Sequence, residues 1–92
     1  MNHTLEKRTA PIIPTTQDFG RAVRCLRQQR RQTIEMLSEG ADLHETHLSR
    51  IEHGLCNPTW DRVTDIAKGL GISTVLLIQA AEQKAKIVQV DT

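Results

Sequence analysis

Apolar residues recur along this chain at helical spacing in five stretches, each punctuated by a polar cap or a glycine. Phe19, Val23 and Leu26 share one face, and Thr15 with Asp18 three residues on has the form of a capping box. This predicts a first helix running to about Arg31. Thr33 caps a second helix through about Glu39. The apolar positions Leu37, Ala41, Leu43, Leu48 and Ile51 then predict two short helices joined by a tight corner, the later one spanning roughly Glu45 to His53 and stopping at Gly54. Asn57-Pro58 signals a turn, Thr59 caps a fourth helix carrying Val63, Ile66, Ala67 and Leu70, and Gly71 ends it. Ser73 opens a fifth, in which Val75, Leu76, Leu77, Ile78, Ala80 and Ala81 cover more than one helical face.

The register of the corner is decided by what it buries. With Gly40 at the corner, Thr46 and Ser49 would fall in the core slots. With Asp42 there, Leu48 and Ile51 fill them, and Asp is among the few non-glycine residues tolerated at positive φ. Asp42 is therefore the corner, and Gly40 reads as a weak surface residue of the second helix. A short helix propped in this way, polar and small on its outer face, has the geometry needed to lie in the major groove of DNA.

The flanks are less regular. Residues 1–14 carry Pro11 and Pro14, mixed charge and no helical period, and read as a flexible N-terminal arm ahead of a domain at 15–82. Residues 83–92 form a C-terminal tail in which Ile87, Val88, Gln89 and Val90 suggest a short strand shared between subunits, or a frayed end. The surplus apolar surface of the fifth helix predicts a homodimer seam through Val75, Leu76, Ile78 and Ala81.

Composition sharpens this only locally. One Phe, one Trp and no Tyr make the core aliphatic, which suits small helices better than a sheet. No stretch has the length of a membrane span and no signal peptide opens the chain, so a soluble cytoplasmic protein is expected. Cys25 and Cys56 read as free thiols. A net charge of +1 says little, but Arg21, Arg24, Arg27, Arg30 and Arg31 run without an intervening acid. From Glu35 to Asp65 acids prevail, opposed only by Arg50 and Arg62. Any affinity for nucleic acid must then rest on local phosphate contacts and specific readout rather than on a uniform basic surface.

Leu26-Arg27, Leu48-Ser49-Arg50-Ile51-Glu52-His53-Gly54, Asn57-Pro58-Thr59, Ile66-Ala67 and Leu70-Gly71-Ile72-Ser73 occur in an order and spacing that resembles the Cro/cI-type helix-turn-helix family, the lambda-repressor-like or XRE group of bacterial and phage regulators. The likeness covers roughly Phe19 to Ala80. It implies an all-α, five-helix lambda-repressor-like domain that binds double-stranded DNA as a homodimer and regulates transcription, most often by repression. Under it Glu45, Thr46, Ser49 and Arg50 reach base edges, and the helical projection agrees, since Leu48, Ile51 and Glu52 lie on the other face. Arg50 suits guanine, Thr46 a thymine methyl, and Glu45 a cytosine amino group. Expected phosphate contacts are Thr33, Arg30, Arg31, His47, His53, Asn57 and Thr59. Arg27 and Glu52 each follow a core position by four residues, at the edge of a buried stripe, and in the family these positions commonly pair. The chain departs from the pattern at Ile34, where the family usually has a phosphate-holding Gln, at His44 in place of a small hydroxyl cap, and at Asp42 in place of Gly.

Other chemistry finds little support. His44, His47, His53 and Cys56 have metal-like spacing, yet His53 lies on a different side of the helix from the other two, so no metal and no cofactor is expected. A milder expectation is that protonation of His44, His47 or His53 strengthens phosphate contact below neutral pH. No glycine-rich phosphate loop follows a strand and no nucleophile–base set stands out, so an enzyme is not expected. Rival readings are an antitoxin with a toxin-like protein partner, a restriction-modification controller, and a protein-interaction module that has lost DNA.

Overall fold

A computed structural model describes residues 12–91, with side chains through Lys86. Five helices and no strand are present among the described residues: α1 (Thr16–Gln29), α2 (Ile34–Gly40), α3 (Glu45–Glu52), α4 (Trp60–Leu70) and α5 (Thr74–Asp91). Residues 1–11 of the expected arm lie outside those described, and Ile12 to Pro14 have no regular structure.

Each helix starts where a side chain satisfies its free amides. At α1 the capping box is complete, with Thr15 Oγ1 accepting from the Asp18 amide at 3.1 Å and Asp18 Oδ2 accepting from the Thr15 amide at 2.8 Å. Thr33 accepts from the Met36 amide at 3.0 Å, Thr59 from the Arg62 amide at 3.2 Å, and Ser73 from the Leu76 amide at 3.2 Å. The first helix stops two residues short of Arg31. Arg31 enters the left-handed region at φ 56°, which turns the Gln32 amide back onto the Arg27 carbonyl at 3.1 Å. Asp42 takes the corner at φ 55°, and Gly54 and Gly71 end α3 and α4 at φ 71° and 74°.

Leu37, Leu48, Ile51, Ile66, Leu77 and Val23 are fully buried, joined by Phe19, Ala22 and Leu70 in one core. Helix α1 lies between α5 and α3, while α2 packs on α4. Two of these crossings are close enough to need glycine. A Cβ on Gly20 would stand 2.4 Å from the Ile51 carbonyl oxygen, and one on Gly69 would stand 2.9 Å from the Ala41 nitrogen. Gly40 is part of the second crossing, since its own Cβ would lie 3.3 Å from the Gly69 Cα. It is thus a helix-contact residue as well as a surface one, which corrects the reading from the corner argument.

Helix α5 turns Leu77, Ala81 and Ala85 onto the core, at the four-residue spacing of one face. Ala81 is 1% exposed and so belongs to its own subunit's core, not to a seam between subunits. Ile78 is half-buried against the same core, which leaves Val75 and Leu76 as the solvent-facing apolar residues of the expected set. The backbone from Ile87 to Val90 continues α5, so the suggested strand is absent; alternation over four residues is too short to override a helix already propagating.

The charges at the edge of the two stripes meet. Arg27 Nε donates to Glu52 Oε2 at 2.7 Å and Nη2 to Oε1 at 3.0 Å, while Nη1 donates to the Gln32 carbonyl at 2.8 Å. The hydrogen bonds to Glu52, with its charge, raise the Arg27 pKa above its ordinary value, although burial opposes them. Stability from that shift is present throughout the neutral range and is lost only when strong alkali deprotonates the guanidinium. The pair fastens the end of α3 to α1.

Candidate nucleic-acid interface

Helix α3 shows two unlike faces. Leu48 and Ile51 are fully buried and Glu52 nearly so, whereas Glu45, Thr46 and Arg50 are exposed and Ser49 half-exposed. These four polar residues line one shallow concavity of about 360 Å³, and Ile34 from the start of α2 forms part of its wall. The arrangement presents a carboxylate acceptor, two hydroxyls and a guanidinium fork on a rigid helix, the donor and acceptor types that match major-groove base edges.

The α3 cap is an imidazole. His44 Nδ1 accepts from the Thr46 amide at 3.2 Å, so the ring's proton sits on Nε2. His44→Ala should cost about 0.5–2 kcal/mol in urea denaturation, while His44→Ser, which restores an oxygen acceptor, should stay within a few tenths of the parent. Equal loss in both variants would show that the cap contributes nothing.

The residues expected at phosphates are dispersed. His47, Asn57 and Thr59 line a second concavity with Arg62, Asp61 and Asp65. There Asn57 Oδ1 accepts from the Thr16 hydroxyl at 3.1 Å, Thr59 caps α4, and Arg62 pairs with Asp65 at 3.1 Å. His53 Nδ1 lies 2.7 Å from the Ser49 carbonyl, which ties the ring to its own helix. Arg30 and Arg31 are exposed at the end of α1, and neither lines the concavity of the four α3 residues. Thr33 borders a third concavity with Glu35, Glu39 and Glu45, an acidic flank that works against phosphate contact there. Among the described residues, no group of three or more His, Cys, Asp or Glu side chains is placed to hold a metal ion.

Two features escaped the sequence reading. Ile34 sits with the polar groups of α3, a position that depends on how α2 crosses α3. Trp60 is 64% exposed and shares an apolar recess with Val75 and Ile78, which adds an aromatic ring to the surface expected between subunits. Its place as the first residue of α4, beside a cap, gave no signal of this.

Several solved structures share the architecture. The restriction-modification controller C.AhdI from Aeromonas hydrophila is similar at 24% identity and TM-score 0.66, over 67% of this chain and 94% of that one. The clp gene regulator ClgR from Corynebacterium glutamicum is similar at 20% identity and TM-score 0.80, over 88% of this chain and 86% of that one. The restriction-modification controller C.Esp1396I, solved as a tetramer in complex with its natural 35 base-pair operator, is similar at 24% identity and TM-score 0.72, over 76% of this chain and 92% of that one. No curated protein matches the sequence. The family described as helix-turn-helix domain matches residues 18–78, nearly all of α1 to α4 and the start of α5, and the chain belongs to that family.

Proposed function

We propose that this protein is a sequence-specific DNA-binding transcriptional regulator that acts as a homodimer on an approximately palindromic operator, with repression by promoter occupancy as its mechanism. The observation that carries this is the outer face of α3, where Glu45, Thr46, Ser49 and Arg50 share one open concavity while the inner face is locked in the core. Support also comes from C.Esp1396I, the same fold bound to its operator. In the dimer, Trp60, Val75 and Leu76 lose solvent against their copies, and two α3 helices stand about 34–36 Å apart to meet successive major grooves. Arg30 and Arg31, with the amides at the start of α2, supply phosphate contacts; the acidic flank keeps them few.

Selection from random duplexes, followed by titration at several salt concentrations, tests the proposal. Affinity should fall with salt at a slope of about −0.9 per neutralised phosphate, and the bound pool should converge on two related half-sites. Arg50→Ala should lose about 1–3 kcal/mol on the selected site and relax preference at one base pair. A flat salt response with no enriched sequence would instead favour a protein-interaction module. No single helix among the described residues is long and apolar enough to cross a membrane.

A further inference from the structure

We propose that Ile34 is a specificity-determining residue that reads the C5 methyl group of a thymine at the lip of the groove, an inference that rests on α3 being the DNA-reading helix. Ile34 is the first residue of α2, yet its side chain lines the same concavity as Glu45, Thr46, Ser49 and Arg50. It is half-buried, with part of the side chain against the core and the remainder forming the apolar section of that concavity. Its backbone is held by the Thr33 cap, and its β-branch leaves little rotation about χ1. The methyl surface is therefore presented in a fixed direction.

In a helix-turn-helix pair the first helix crosses the DNA backbone, so a residue at its start that also borders the second helix stands at the groove edge. The major groove offers one apolar group, the thymine methyl, while cytosine presents an amino donor on the same side of the base pair. Against thymine the exposed part of Ile34 leaves water and gains apolar contact. Against cytosine it strips water from a donor and returns no acceptor. The other lining side chains are a carboxylate, two hydroxyls and a guanidinium, among which only the Thr46 methyl offers comparable apolar surface. Ile34 thus does not merely forgo a polar contact at this position; it substitutes an apolar one.

Uracil scanning tests this with the full chain. Once a site has been selected, each thymine is replaced singly by deoxyuridine, which lacks the methyl, and Kd is measured by fluorescence anisotropy at fixed salt. One thymine per half-site should weaken wild-type binding about four-fold on replacement, the value of burying one methyl-sized group. The Ile34→Ala protein should be indifferent to the same replacement, and Ile34→Gln should move the preferred base there away from thymine. Uracil tolerated at every position by the wild-type protein overturns the proposal, however the variants fold. A penalty that persists in Ile34→Ala but disappears in Thr46→Ser assigns the methyl contact to Thr46 and overturns it equally. Absence of any selected sequence sinks the α3 reading itself, and this inference with it.

Discussion

Replacing Glu52 with alanine is expected to cost about 3–5 kcal/mol of folding stability, a large part of the roughly 5–15 kcal/mol that holds a small domain together. The loss does not measure the attraction of the pair. It arises because Arg27 keeps its charge in a site where its side chain is 11% exposed, after its carboxylate partner, itself 3% exposed, has gone. The double substitution Arg27→Met with Glu52→Leu separates the two contributions, since removing both charges avoids the stranded guanidinium. It should recover most of the loss but not all, because the Gln32 carbonyl also loses its donor from Arg27. Urea denaturation of the three proteins checks this order. A Glu52→Ala protein within 1 kcal/mol of the parent would mean that water reaches Arg27 readily, and that α3 is held to α1 by apolar contact alone.

Gly20→Ala is the second large effect. On propensity alone the change should help, by about 1 kcal/mol for a helix interior. The tertiary contact reverses the sign. The new Cβ would stand 2.4 Å from the Ile51 carbonyl oxygen and 2.6 Å from that of Glu52, and both are backbone atoms of α3 that no rotamer change can move. Helix α3 must shift away from α1, which strains the Arg27–Glu52 bonds and opens the core at Ile51. A net loss at or above the upper end of the roughly 1–3 kcal/mol typical of overpacking is expected. Because the displaced element is the candidate reading helix, operator affinity should fall even at temperatures where the variant remains folded, and circular dichroism alongside anisotropy separates the two losses. A Gly20→Ala protein with raised melting temperature and unchanged Kd would show that the two helices slide apart at no cost.

Periodicity carried most of the fold. Helix positions follow from apolar residues spaced for one face and from caps whose chemistry is local: Thr15 with Asp18, Thr33, Thr59 and Ser73 all bond the amides that their place in the chain dictates. Even the corner was legible. Only Asp42 lets Leu48 and Ile51 face inward, and it does adopt positive φ. The exposure of Glu45, Thr46 and Arg50 on α3 follows from the same projection, because a helix with one buried stripe has one wet face.

What the pattern could not convey is distance between elements. A glycine within a helical period looks like a weakness, and only the crossing of α1 with α3 shows that Gly20 is there because a methyl group would not fit. Gly40 and Gly69 are far apart in sequence and meet for the same reason. Ala81 looked free for a partner until the core covered it, and Ile34 looked like a lost contact until α2 placed it on the same concavity as Arg50. Caps and periodic faces are set by covalent neighbours within a turn or two, so a linear reading finds them. Close approach, and the sharing of one surface by two helices, depend on the crossing of packed elements, which the whole core decides at once.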